Sequence, residues 1–360
     1  MEGVKNIEAL SLLFTAGVAA GTLVSVPASG VLPGLLLPLL ALPVLLRGKL
    51  REAAQRQSVP LLLGTFLLLG FFCARSAVLP SVSVESGLER LSQNVVLRLR
   101  ALIGSIPFPS EGSAPLLLAL LTGDRSALAP ETVTAFRDSG ASHILALSGL
   151  HIGIIYLLFD HLTRVLGKTP AARYLRFALI TLGAGFFTLM TGAGPSIVRA
   201  FLFILINETL RLLNRPRKPV RVLCLALLIQ LVLDPAVIGS IGFQLSYLAM
   251  SGIFLLYPIL EKWYPEGSAH NPLRRIWQAA ALSISCQLFT APLVWYRFHS
   301  FPRHFLLTNL LAIPLTTLLM GTAVVTVTLW GLGICPALLV TVTDALCRLL
   351  TGVLEIIAAM

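Results

Sequence analysis

The chain has 360 residues, of which 56% are hydrophobic and 12% charged, with a mean hydropathy of +0.87 and a net charge of +11. A soluble domain carries about 25% charged residues, so the composition excludes a soluble globular protein and identifies an integral membrane protein. The charge alone would also fit a nucleic-acid surface, and where the basic residues fall decides how much of it is topological.

A bilayer core requires roughly 20 apolar residues per helix. Hydrophobic stretches occupy residues 10–27, 31–46, 59–79, 144–159, 177–190, 197–213, 222–233, 243–260, 276–296, 306–330 and 337–357, which predicts about eleven crossings. The first is weakly basic at its front and closely followed by the second, so it is expected to be retained rather than cleaved as a signal peptide. Lys5, then Arg47, Lys49, Arg51 and Arg56, then Arg164, Lys168, Arg173 and Arg176 all fall in alternate connections. Arg211, Arg215, Arg217, Lys218, Arg221, Lys262, Arg274 and Arg275 continue the pattern. This is the positive-inside distribution. It predicts a cytoplasmic amino terminus, an external carboxyl terminus and an external, nearly neutral segment 80–142. Most of the basicity is therefore topological.

Residues 1–80 read as a three-helix scaffold, with Pro27, Pro33, Pro38 and Pro43 breaking the first hairpin. Within 81–142, Leu88, Leu91, Val95, Leu99, Leu102 and Ile106 recur at three- and four-residue spacing, the pattern of an amphipathic helix. It either lies in the membrane interface or packs on the bundle. Leu116 to Leu121 is apolar but too short to span, and Thr122, Gly123 and Asp124 end it with a turn. Pro130 and Glu131 start another short helix. Irregular backbone at membrane depth survives only where protein or water satisfies it, so this segment is expected to be re-entrant or superficial and to line a cavity. Residues 143–360 form the remaining membrane core.

The five cysteines are scattered and odd in number, which indicates neither a disulfide framework nor a zinc site. His143 and His151 are eight residues apart, unlike helical metal ligands at i, i+4, so no metal and no cofactor are expected. Ser148, Gly149 and His151 invite a hydrolase reading, but the surrounding Ala146 and Leu150 stand where a nucleophile elbow has glycines. An intramembrane serine protease would need only a Ser-His pair. Three residues apart on one helix, Ser148 and His151 are expected to require a distant partner such as His299 or His304.

Several later spans carry polar stripes: Ser196, Arg199 and Asn207; Gln244, Tyr247 and Ser251; Ser283, Gln287 and Thr290, each on one helical face. Such stripes avoid lipid and face other helices or water. Arg297, His299, Arg303 and His304, interleaved with Phe298, Phe301 and Phe305, either grip single-stranded nucleic acid or form an interfacial belt.

Residues 120–155, LLTGDRSALAPETVTAFRDSGASHILALSGLHIGII, followed by GAGPSIVRAFLFILI (192–206), DPAVIGSIGFQLSYLAMSGI (234–253) and TNLLAIPL (308–315), which contains Asn309, resemble in order the blocks of the ComEC competence family. The resemblance implies an all-α, polytopic channel in the bacterial inner membrane through which one DNA strand enters during transformation. It implies as partners the lipid bilayer, an external DNA receptor, a cytosolic motor ATPase and a separate nuclease. The sequence holds no Gly-rich nucleotide-binding loop. Many family members carry an OB-like domain where only a few residues follow Pro80 here, and many end in a metallo-β-lactamase-like domain where this sequence stops at Met360. No nuclease activity is therefore carried over, and the chain is not expected to be an enzyme. The strand path is expected to run past Asp124, Arg125, His143, Ser148, His151, Ser196, Arg199, Asn207, Gln244, Tyr247, Ser251, Gln287, Arg297, Arg303 and Asn309. A transporter of another solute is the main alternative.

Overall fold

A computed structural model of the protein describes residues 6–23, 64–74, 87–167, 169–264, 271–299 and 301–360. Among the described residues the ordered elements are all helical. They form two compact units, Met1–Val84 with Leu202–Gln244, and Glu85–Phe201 with Leu245–Met360.

In the first unit, α1 (Asn6–Leu23) packs on α10 (Pro219–Leu233) and on the short 3-10 turn Pro235–Gly239. The helix α2 (Gly64–Ala74) crosses α1 backbone to backbone. A Cβ at Gly17 would collide with the Leu67 carbonyl, and one at Gly70 with the Phe14 carbonyl. Gly17 and Gly21 make a small-xxx-small pair, the pattern by which membrane helices come close without a hydrophobic driving force.

The second unit is built around α4 (Ser113–Thr122), whose residues Leu116 to Leu121 are all buried. A helix buried all round must be surrounded. Its neighbours are α3 (Gly87–Ser105), α6 (Ser142–Leu145), α14 (Phe305–Gly331) and α15 (Ala337–Ala358). Ile103, Phe136, Ile144, Leu319, Met320, Leu350 and Leu354 complete this core. Ten residues at 1.5 Å each give α4 about 15 Å, half of a bilayer core. It ends at Gly123, whose φ of +82° is the left-handed stop that glycine adopts without a Cβ penalty. The second short helix, α5 (Pro130–Asp138), starts on its proline as expected and packs on α15. At the end of the amphipathic helix α3, Ile103 and Ile106 belong to the core, and Trp330 Nε1 donates to Ser105 Oγ at 3.0 Å. This end packs on the bundle.

The remaining helices are α7 (Gly149–Thr163), α8 (Pro170–Met190), α9 (Pro195–Leu212), α11 (Ile241–Leu255), α12 (Tyr257–Glu261) and α13 (Pro272–Phe298). On α8, Leu175, Leu179, Leu182, Phe186 and Leu189 are exposed, while Ile180, Ala184, Phe187 and Thr188 are buried. The α14 helix divides similarly, with Leu307, Leu311 and Leu318 outward and Thr308, Ala312, Thr316 and Leu319 inward. Contiguous apolar stripes of this size do not face water in a stable soluble monomer; they face lipid. The protein is a polytopic, membrane-embedded helical bundle.

Among the described residues, five helices combine spanning length with apolar composition: Gly149–Leu166, Ile241–Glu261, Pro272–Phe298, Phe305–Gly331 and Ala337–Ala358. This is fewer than the eleven expected. Arg173 and Arg176 lie at the start of α8, and Arg199, Glu208 and Arg211 interrupt α9. Ile7–Leu23, Gly64–Ala74 and Pro219–Leu233 are apolar but shorter. The expected crossing at 31–46, with its prolines and the basic connection 47–56, lies outside the described residues.

Candidate functional site: the head of α7 and the turn after α4

After α4 the chain makes a polar turn. Asp124 accepts from the Ser126 amide at 3.0 Å and forms an ion pair with Arg100 of α3. Arg125 Nη2 donates to the Leu145 carbonyl at 2.8 Å, tying the turn to the end of α6. Thr308 Oγ1 donates to the buried Ser139 carbonyl at 2.6 Å, and Gly140 turns at φ +82° where a Cβ would lie 2.7 Å from Pro302 Cβ. The segment between α4 and α7 is thus fastened to α3 and α14, and its first turn to α6. His143 remains exposed, with Nδ1 3.2 Å from the Gly140 carbonyl.

Ser148 is the N-cap of α7. Its hydroxyl accepts from the Leu150 amide at 3.3 Å, and its own amide donates to His151 Nδ1 at 3.3 Å. The pair forms a capping box in which histidine takes the place usually held by Glu or Gln. The Ser148 amide fixes Nδ1 as an acceptor, so the neutral ring carries its proton on Nε2. That atom is buried without a partner in a residue with no exposed surface.

Against the same turn lies Arg199 of α9, 7% exposed. A Cβ built on Gly149 would be 3.2 Å from Arg199 Nη2 and 3.3 Å from Ala200 Cβ. The guanidinium stands 5.9 Å from the centre of the Tyr247 ring, a cation-π arrangement, and its Nε has no hydrogen-bond partner. Arg199 makes no ion pair among the described residues. Nor, among them, do three His, Cys, Asp or Glu side chains group to share a metal ion.

The family model described as "Competence protein" matches residues 120–360, which contain this whole arrangement except Arg100. The chain belongs to the competence-protein family. It is 28% identical over 205 residues to ComE operon protein 3 of Bacillus subtilis, covering 57% of this chain and 25% of that protein. It is also 26% identical over 214 residues to Recombination protein 2 of Haemophilus influenzae, 57% of this chain and 27% of that one. Competence protein ComA of Neisseria gonorrhoeae is 30% identical over 204 residues, 55% and 28% of the two chains. The matched part of each relative is therefore little more than a quarter of its length. No solved structure matches the chain.

Within this competence-family region the expected site residues separate. Ser148, His151, Arg199 and Tyr247 belong to one locality, the first turn of α7 and what packs on it. Asp124 and Arg125 are tied into the turn after α4 instead of standing free. Gln244 Nε2 donates to the Ile238 carbonyl at 2.8 Å, and Asn207 Nδ2 to the Phe203 carbonyl at 3.0 Å, so both amides brace local backbone in the first unit. Ser251 returns its hydroxyl to the Tyr247 carbonyl at 2.9 Å. Ser196 and Gln287 are half-buried, while Arg297 and Arg303 are exposed, Arg297 lying 6.0 Å from its neighbour Tyr296. Asn309 keeps a buried Oδ1 without a partner.

Two features escaped the sequence reading. Asp344 in α15 is fully buried and accepts from the Ser110 amide and hydroxyl, both at 3.0 Å, and from Ser113 Oγ at 2.7 Å, with Arg348 Nε 3.2 Å away. It anchors the loop that launches α4. An aspartate inside an apolar span is itself a signal. The second is the Ser148–His151 contact, 3.2 Å between Oγ and Nδ1, which needs no distant histidine because the serine lies one residue before the helix.

Proposed function

We propose that this chain is the membrane conduit through which single-stranded DNA enters the cytoplasm during natural transformation. The observation that carries this reading is the buried, sub-spanning helix α4 with the turn after it. Membrane proteins keep broken, polar backbone where it is buried in protein or lines a water-filled path; α4 is enclosed by protein, and the polar turn after it, on our reading beside the path, leads to the cationic head of α7. The family relationship supplies the competence context, because relatives carry the names Competence protein ComA and ComE operon protein 3. In this reading the chain crosses the bacterial inner membrane about eleven times, the count coming from its hydrophobic stretches, and the positive-inside pattern gives a cytoplasmic amino terminus and an external carboxyl terminus. An external DNA receptor, a cytosolic motor ATPase and a separate nuclease are the partners this conduit requires, and the chain itself performs no chemistry. Deleting the gene in a transformable host should abolish entry of labelled DNA into the cytoplasm while surface binding persists. Undiminished entry would reject the proposal.

One observation favours a second reading. The Ser148–His151 contact has the composition of a hydrolytic dyad. The serine oxygen, however, already accepts the Leu150 amide as a helix cap. Ser148→Ala should leave DNA entry within about threefold of wild type, consistent with loss of a cap worth about 1 kcal/mol. Complete loss with normal protein level would favour the hydrolase.

A further inference from the structure

The head of α7 concentrates positive potential, and among the described residues no acidic side chain pairs with Arg199 there. The amino end of a 15-residue helix carries a partial positive charge. The Arg199 guanidinium, always charged, lies against its first residue, Gly149, with 93% of its surface removed from solvent. A buried cation beside the positive end of a helix is destabilised by both desolvation and repulsion. The Tyr247 ring offsets only part of this. Arg199 Nε and His151 Nε2, two N–H donors, are buried without acceptors. Two unpartnered donors beside the positive end of a helix are the complement of an oxyanion.

We propose that Arg199 and the first turn of α7 form a binding site for a phosphate diester. The guanidinium fork presents Nη2 and Nε to two phosphate oxygens, the helix end supplies its dipole, and Gly149, lacking a Cβ, lets the guanidinium lie against the first turn of α7. The assignment deepens the conduit proposed above and rests on it for the identity of the ligand: a strand backbone offers one such diester per nucleotide. An anionic lipid headgroup offers the same chemistry.

The test uses the full chain in nanodiscs of phosphatidylcholine, and measures binding of a short oligothymidylate against its uncharged methylphosphonate analogue. Wild type should bind the charged strand at least about tenfold tighter, the value of one charge-assisted hydrogen bond. Arg199→Gln should remove that preference, and Arg199→Lys, which keeps the charge but not the fork, should retain part of it. Gly149→Ala keeps Arg199 and places a methyl group 3.2 Å from Nη2, and should weaken the charged strand alone. Competition by added phosphatidylglycerol that depends on Arg199 would support the site with a lipid headgroup as its resident. An unchanged charged-strand preference in both folded Arg199→Gln and Gly149→Ala would overturn it. DNA entry abolished by gene deletion would then leave the conduit standing without this site. An Arg199-dependent preference with undiminished entry in the deletion strain would leave the site standing without the conduit.

Discussion

Asp344 and Arg199 are both charged side chains buried within membrane helices, and they differ in one respect. Every oxygen of Asp344 is engaged, by Ser110, Ser113 and Arg348, whereas Arg199 has an aromatic face and an unused donor. A satisfied buried charge stabilises its surroundings; an unsatisfied one is retained at a cost and marks function. Asp344→Ala should therefore lower stability by about 2–4 kcal/mol, since it strands two hydroxyls and an amide. It should appear as a lower melting temperature in detergent than for the lipid-facing control Leu182→Ala. Equal melting temperatures would remove Asp344 from its anchoring role. The composition of the α7 head was legible in the sequence, because polar residues are rare in such spans and each is noticeable. Partners were not: Gln244 and Asn207 have the same polarity as Tyr247, and only the fold shows that both amides are spent on nearby carbonyls.

At the scale of elements, the short helices between residues 113 and 148 were legible because their boundaries are chemical. Gly123 stops α4, Pro130 starts α5 and Ser148 caps α7, each at the place the residue type predicts. What periodicity does not reveal is which long-range contact holds them, because Thr308 lies 169 residues from the Ser139 carbonyl it bonds. Thr308→Val keeps the shape and removes the donor, leaving a buried carbonyl unpaired at a cost of about 1–3 kcal/mol. Amide exchange over residues 139–145 should accelerate, while that of α13 should not change; unchanged exchange at 139–145 would contradict the tether. In the other unit, Gly17→Leu should separate α1 from α2, since the backbones there meet without side chains between them. Cross-linking between cysteines introduced on α1 and α2 should fall sharply in that variant; undiminished cross-linking would show that the helices do not depend on this approach.

At the scale of the whole molecule, hydropathy gave the class correctly, and among the described residues five helices meet a spanning criterion. A window of apolar residues does not register that Arg173 and Arg176 stand at the start of α8, or that α10 reaches only 15 residues. The charge distribution is a separate signal, and it leads to the topology proposed here. Cysteines placed at 216 and 218 should be shielded from a membrane-impermeant thiol reagent in intact cells, and one placed at 127 should react. The reverse pattern would invert the molecule in the membrane. The central claim, a path for a polyanionic strand, is tested most directly in proteoliposomes containing the full chain. A labelled single-stranded oligonucleotide should become protected from external nuclease, with its duplex form and its uncharged analogue remaining outside. Protection of none of the three, together with flux of a small solute that DNA does not inhibit, would contradict the account.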